Sequence, residues 1–376
     1  MARSYGAADT AFGLRVLGTW CRSRPRANIV FSPASLAAGL GLAYLGARGQ
    51  TAAAMARTLH LPVTGRPQAE AGMRARQSEL GRLHGPGVTL AASNRVWSDP
   101  SLLPLRSYLD AAALAYHAGL SRVPLLDDPT RAAQIINAAV ARDTHGTIPQ
   151  LLGPGALTGD AWVLTDALFM SADWARPFPA GRTAPGRFAT AAGGAATARF
   201  MHGAGYRYAT AGGWTSVALP YRGGRLTMTA LLPRSGRGAL GCQLPPAAAL
   251  RTMDTALARA GPAAAVALPK VSLASRQDMD GLLARLGMGI AFGGLADFAG
   301  LSPRACCIAL VEHAATLRVG EKGTVGSAAT AVGLVPTDAQ VPAGPQIAFD
   351  RPYLMLVTDT ATGEPLFLAR VADPGG

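Results

Sequence analysis

Glu321-Lys-Gly-Thr-Val-Gly-Ser-Ala-Ala-Thr-Ala-Val-Gly-Leu-Val-Pro-Thr-Asp338 is built almost wholly from small, neutral side chains. With period two, one face carries Thr324, Gly326, Ala328, Thr330, Val332 and Leu334; the other carries Val325, Ser327, Ala329, Ala331 and Gly333. Gly323, Gly326 and Gly333 weaken helix and strand alike, so these residues specify neither a helix nor a stable exposed strand. They suit a segment that first stays outside and later slides into a crowded sheet interior, where bulky or charged groups would be blocked. An apolar, strand-like run from Cys306 to Val319 leads into them. Taken alone, a Gly/Ala-rich surface linker between two strands fits as well.

The rest of the chain separates these readings. Phe12, Val16 and Trp20 share one face of a helix predicted over 8–22. Ser32 stands where it would cap a helix opening at Pro33, and Ala34–Ala47 is apolar all round, which requires deep burial. Further helices are predicted over 50–59, 67–83, 104–117 and 128–141, with a strand over Val88–Trp97 and another ending at Val123. Ala161–Trp174 is the longest apolar strand-like run, as expected of a strand covered on both faces. Phe200-Met-His, Val217–Tyr221, Leu226–Pro233 and Val266–Leu273 read as strand material, the first three divided by Gly-rich turns. No internal repeat or compositional break marks a linker.

These segments, in this order, resemble the serpin family. The resemblance rests on Phe31-Ser-Pro-Ala-Ser-Leu36, Ile136-Asn137 with Thr144–Leu152, the Ala161–Phe178 run, Ala296–Ser302, the Glu321-Lys-Gly-Thr hinge, Phe349–Tyr353 and Pro365–Val371. It covers residues 28 to 371. It implies one α+β domain over 1–376: a large central mixed β-sheet, further sheets, eight or nine helices and an exposed reactive-centre loop over about 321–345. It also implies suicide inhibition of a serine endopeptidase, with the cleaved loop inserting as a new strand. The loop hinge would comprise Glu321, Lys322, Gly323, Thr324, Val325, Gly326, Ser327, Ala328, Ala329 and Thr330, and Trp174 would stand where the loop first enters. A polar cluster beneath the parting sheet would comprise Ser32, Ser35, Asp166 and His313.

Counted from Glu321, the reactive bond falls at Thr337–Asp338; counted back from Pro352, it falls nearer Val341. A threonine there, after Leu334-Val-Pro336, suits an elastase-like or subtilisin-like peptidase. A trypsin-like one is disfavoured, because no basic residue lies between Gly323 and Pro345. Three positions depart from the family pattern: Val325 for an acidic residue, Ala369 for a glycine, and Asp166 for an asparagine. The carboxylate of Asp166 is expected to pair with a protonated His313 and make sheet opening pH-dependent; a plainly satisfied core network is the other reading. A non-inhibitory binding protein or a peptidase substrate on the same fold is the alternative function.

Composition narrows the partners. The formal charge is +13, and of 35 basic residues only Lys270 and Lys322 are lysine, the bias of a GC-rich, bacterial genome. The arginines are scattered, which argues against a dedicated nucleic-acid face. Arg74, Arg76 and Arg82 are read as a solvated helix face or a weak polyanion site. G-x-S-x-G, H-E-x-x-H and P-loop patterns are absent, and the six histidines lack metal-ligand spacing, so neither an enzyme nor a cofactor is expected. Cys21, Cys242, Cys306 and Cys307 are expected as buried thiols, the last two pointing to opposite faces of a strand. Without a signal-peptide pattern or an 18-residue apolar stretch, a cytoplasmic monomer is expected, or an extracellular one if a leader is missing.

Overall fold

The computed structural model describes residues 1–61, 65–116, 120–157, 162–234, 241–324 and 344–375. Helix α1 (Ala2–Ser23) buries Phe12, Val16 and Trp20 as their spacing predicts. After β1 (Ile29–Phe31), the Ser32 hydroxyl accepts from the Ser35 N–H and caps α2 (Pro33–Gly46), all but one of whose residues are buried. Then follow α3 (Gly49–Thr58), α4 (Arg66–Gly81), β2 (Val88–Ser98), α5 (Arg106–Tyr116) and β3 (Leu120–Arg122). Asp128 caps α6 (Pro129–Asp143), and the long apolar run forms β4 (Trp162–Asp173).

Four further strands follow: β5 (Ala184–Ala189), β6 (Ala195–Ala211), β7 (Trp214–Pro220) and β8 (Leu226–Pro233). Next come α7 (Ala247–Arg259), β9 (Pro262–Pro269), β10 (Val271–Asp278), α8 (Asp280–Leu283), β11 (Val311–Val319) and the two-residue β12 (Gly323–Thr324). The chain closes with β13 (Gln346–Ala348), β14 (Tyr353–Asp359) and β15 (Pro365–Val371).

The strands form two sheets. One has nine strands, in the order β1-β15-β14-β8-β7-β6-β9-β13 with β5 on β6; the other has six, in the order β10-β11-β12-β4-β2-β3. In the smaller sheet β4 and β11 run parallel and pair directly from Leu164/Val311 to Leu168/Ala315. Beyond that register they part, and β12 stands between them, Thr324 opposite both Val319 and Ala172. Leu168, Met170 and Ala172 of β4, with Ala315, Leu317 and Val319 of β11, pack in one core with residues of the nine-stranded sheet. On the opposite face Val163, Ala167 and Ala314 lie under Ile136 and Val140 of α6, which therefore covers the β4–β11 seam. This double cover explains the lack of polar alternation in β4.

Several expectations are corrected. Val266–Leu273 is not one segment: β9 ends at Pro269 in one sheet, and Lys270 alone carries the chain to β10 in the other. The strand expected from Cys306 begins at Val311, with Cys306 exposed and Cys307 half-buried ahead of it. Cys21 and Cys242 are not thiols but a disulfide between the end of α1 and the approach to α7, spanning 221 residues of sequence. Arg76 leaves the basic face of α4: it is buried beside Asp9 of α1 and Glu364, at 3.3 and 3.2 Å. It therefore belongs neither to a solvated face nor to a polyanion site, whereas Arg74 and Arg82 are exposed.

Candidate functional site

Two clusters meet the parted sheet, one at its open end and one beneath the point where it closes. At the open end the hinge residues Glu321, Lys322, Gly323 and Thr324 make a tight turn, with Gly320 and Gly323 exchanging backbone hydrogen bonds. Gly323 pairs with Asp173, and a Cβ there would run into the Ala172 carbonyl oxygen, so only glycine admits the chain. Thr324 is fully buried, and its hydroxyl lies 2.5 Å from the Tyr221 phenol. Burial pushes the Tyr221 pKa up, and the hydrogen bond to Thr324 pulls the other way; the phenol stays protonated and able to donate.

Trp174 holds the approach. Its ring Nε1–H donates to the Gly320 carbonyl at 2.9 Å, its backbone N–H donates to the Lys322 carbonyl at 2.8 Å, and its ring stacks on Tyr221 at 4.4 Å between centroids. The Phe178 N–H donates to the Glu321 carbonyl at 2.8 Å. The Glu321 carboxylate accepts from Lys270 Nζ at 2.9 Å and from the Thr183 hydroxyl at 3.0 Å. Burial alone would raise its pKa, but the Lys270 and Thr183 hydrogen bonds outweigh it and hold the group below the usual carboxylate range. Lys270, Thr183 and Tyr221 were not singled out from the sequence. Only Lys270 carried a signal: the chain's two lysines stand at positions 270 and 322, and the structure brings the first to the hinge.

Where the sheet closes, His313 and Asp166 are register partners across β11 and β4, on the face toward α2. The His313 ring meets Asp166 through Nδ1, while Nε2 lies 3.2 Å from the Ser32 backbone N–H. A backbone N–H can only donate, so Nε2 accepts and the ring proton sits on Nδ1, facing the carboxylate. The expected pairing of His313 with Asp166 is present in this geometry. The Ser35 hydroxyl reaches Asp166 Oδ2 at 2.5 Å and the Asn94 amide at 2.7 Å. Both atoms facing it, Asp166 Oδ2 and Asn94 Oδ1, are acceptors, and its one proton is shared between them. Ser32, Ser35, Asp166 and His313 are thus brought together, with Asn94 of β2 a fifth member the sequence reading missed. The T-shaped contact of Phe31 on His313 completes the enclosure.

This arrangement offers no nucleophile aimed at a base. No group of three or more His, Cys, Asp or Glu side chains placed to hold a metal occurs among the described residues. The geometry is that of a sheet whose strands β4 and β11 are paired as far as Ala315 and parted beyond it. Above the seam, the Asn137 amide of α6 accepts from the Leu151 and Leu152 N–H groups and donates to the Leu152 carbonyl, tying α6 to the chain that leaves it. Val325, Gly326, Ser327, Ala328, Ala329, Thr330 and the Thr337–Asp338 bond lie outside the described residues.

Comparison with known proteins gives a consistent result. A family model described as Serpin (serine protease inhibitor) matches residues 7–374. The chain is 28% identical to leukocyte elastase inhibitor of Bos taurus over 98% of this chain and 99% of that one. It is 31% identical to an uncharacterized serpin-like protein of Thermococcus kodakarensis over 92% and 81%. Among solved structures, human glycosylated kallistatin superposes with a TM-score of 0.85 at 25% identity, covering 99% of this chain and 98% of that one. Thyroxine-binding globulin in complex with thyroxine gives a TM-score of 0.83 at 23% identity over 98% of this chain and 99% of that one, a likeness of fold alone.

Proposed function

The chain belongs to the serpin family, of peptidase inhibitors rather than enzymes, and from that premise we propose that it is a suicide-type inhibitor of a serine endopeptidase. The observation that carries the proposal is the seating of Gly323 and Thr324 between β4 and β11, the first step of a strand that the sheet can still take in. The peptidase serine attacks the loop carbonyl and forms an acyl-enzyme. The freed loop then follows Thr324 down the seam and drags the peptidase with it. About a dozen residues, each gaining a strand hydrogen bond at roughly 0.5–1.5 kcal/mol, release on the order of 10 kcal/mol. The intact form is then trapped kinetically above its cleaved form.

We place the reactive bond at Thr337–Asp338 and the target among elastase-like or subtilisin-like peptidases; the likeness to leukocyte elastase inhibitor supports the first. Mixing the protein with both peptidase types tests the reading. A complex that survives SDS, with Thr337 at the new C-terminus by mass spectrometry, is expected. Cleavage after residue 341 overturns the bond, and clean cleavage without a complex makes the chain a substrate. We also propose an oxidising compartment, because disulfides such as Cys21–Cys242 persist there. The alkylation count of the purified protein should rise by two on reduction; an unchanged count removes that placement.

A further inference from the structure

Between α6 and the β2–β3 edge lies a cleft of about 590 Å³, within the range of small-molecule sites. Arg131, Ile135, Ala138 and Arg142 line it from α6 at spacings i, i+4, i+7 and i+11, one face of a helix with a cation at each end and an apolar middle. Across the gap stand Arg95, Trp97 and Arg122. Trp97 is nearly fully buried and held by a 2.7 Å hydrogen bond from its Nε1–H to the Thr165 hydroxyl. Arg95 lies over the Trp97 ring, 5.8 Å from its centroid. The only carboxylate ion-paired with these arginines among the described residues is Asp143, 2.7 Å from Arg95 and 3.9 Å from Arg142. Four guanidiniums against one carboxylate leave an excess of positive charge around an apolar floor.

We propose that this cleft binds an amphipathic anion, an aromatic or alkyl body carrying a carboxylate, sulfonate or sulfate, and that the bound anion clamps α6 onto the sheet. The body lies on Trp97 and Ile135, and the anionic head bridges Arg122 of the sheet edge to Arg131 of the helix. Because α6 covers the β4–β11 seam, a strand can enter there only if α6 lifts. The clamp therefore slows loop insertion and diverts the chain from inhibitor toward substrate. That last consequence rests on the inhibitory reading; the site itself does not.

Naphthalene-2-sulfonate serves as the probe, with inorganic sulfate and 2-naphthol as controls, in calorimetric titration of the full chain. One site is expected, weakened tenfold or more by Arg122→Ala with Arg131→Ala and largely restored by lysine at both positions. Both arginines are exposed, so folding should be unaffected. At saturating probe, backbone hydrogen exchange in α6 should slow about tenfold. Equal binding of sulfate or of naphthol overturns the ligand class. Affinity indifferent to the two arginines overturns the site, and unchanged α6 exchange overturns the clamp. In a third measurement, probe should slow the gain in thermal stability that follows loop cleavage. If cleavage brings no gain with or without probe, the inhibitory reading fails, while titration and exchange still decide the site and its clamp.

Discussion

A Cβ at position 323 would meet the Ala172 carbonyl oxygen, and the loss of that close approach should be visible in a single variant. Gly323→Ala is expected to expel the hinge, breaking the Thr324–Tyr221 contact and exposing Trp174. A red shift in tryptophan emission and faster loop nicking by a non-specific peptidase would check it. Lys270→Ala should do far less: its ion pair with Glu321 is partly exposed and contributes about 0–1 kcal/mol. At Asp166 the hydrogen-bond inventory decides. Asparagine can still accept from His313 Nδ1–H and keep the network closed, whereas Asp166→Ala leaves Ser35 its Asn94 Oδ1 acceptor but strands the buried His313 Nδ1–H, at about 1–3 kcal/mol. Thermal melting should separate the two variants.

Glu312, next to His313 in the chain, gives the fold's stability a pH dependence of its own. Burial and then Asp278 push its carboxyl up to about 7, against an ordinary 4.5. A raised folded-state value means its contribution is fully present below about 4.5 and is lost as pH rises through about 7. Glu312→Gln should therefore leave stability unchanged at pH 4 and raise it by on the order of 1–3 kcal/mol at pH 8. Parallel pH profiles for the two proteins would refute this.

At the scale of elements, α2 and β4 were legible because each is apolar beyond what amphipathic packing requires, and Ser32-Pro33 marks its helix start without tertiary help. The failures have one physical form. Arg76 on α4 looks solvated until Asp9 and Glu364, from opposite ends of the chain, close around it. Cys21 and Cys242 show no pairing signal across 221 residues; the docking of α1 near α7 creates it. Replacing both cysteines with serine should destabilise the fold by about 2–5 kcal/mol without changing how the loop is cut, as denaturant melts and loop mass analysis would show.

For the molecule as a whole, the proposed mechanism turns on the parting of β4 and β11 around the two-residue β12. If insertion releases on the order of 10 kcal/mol, a chain of 376 residues, losing roughly 2.1 cal/mol/K of stabilising entropy difference per residue at its midpoint, should melt on the order of 10 °C higher once nicked. The intact form should also melt at a temperature that rises with scan rate, because its persistence is a matter of barrier height.

By itself the chain's order of residues determined that 323–334 had to be small and neutral, that Ala34–Ala47 and Ala161–Trp174 had to be buried, and that Ser32 had to cap a helix. Each follows from properties of neighbouring residues: size, period and capping chemistry. Only the tertiary structure decided that β4 and β11 part above Ala315, that Lys270, Thr183 and Tyr221 converge on the hinge, that His313 accepts from Ser32, and that four arginines line one cleft. Those are distances between residues tens to hundreds of positions apart, which no local pattern encodes and which exist only once both sheets have closed on their shared core.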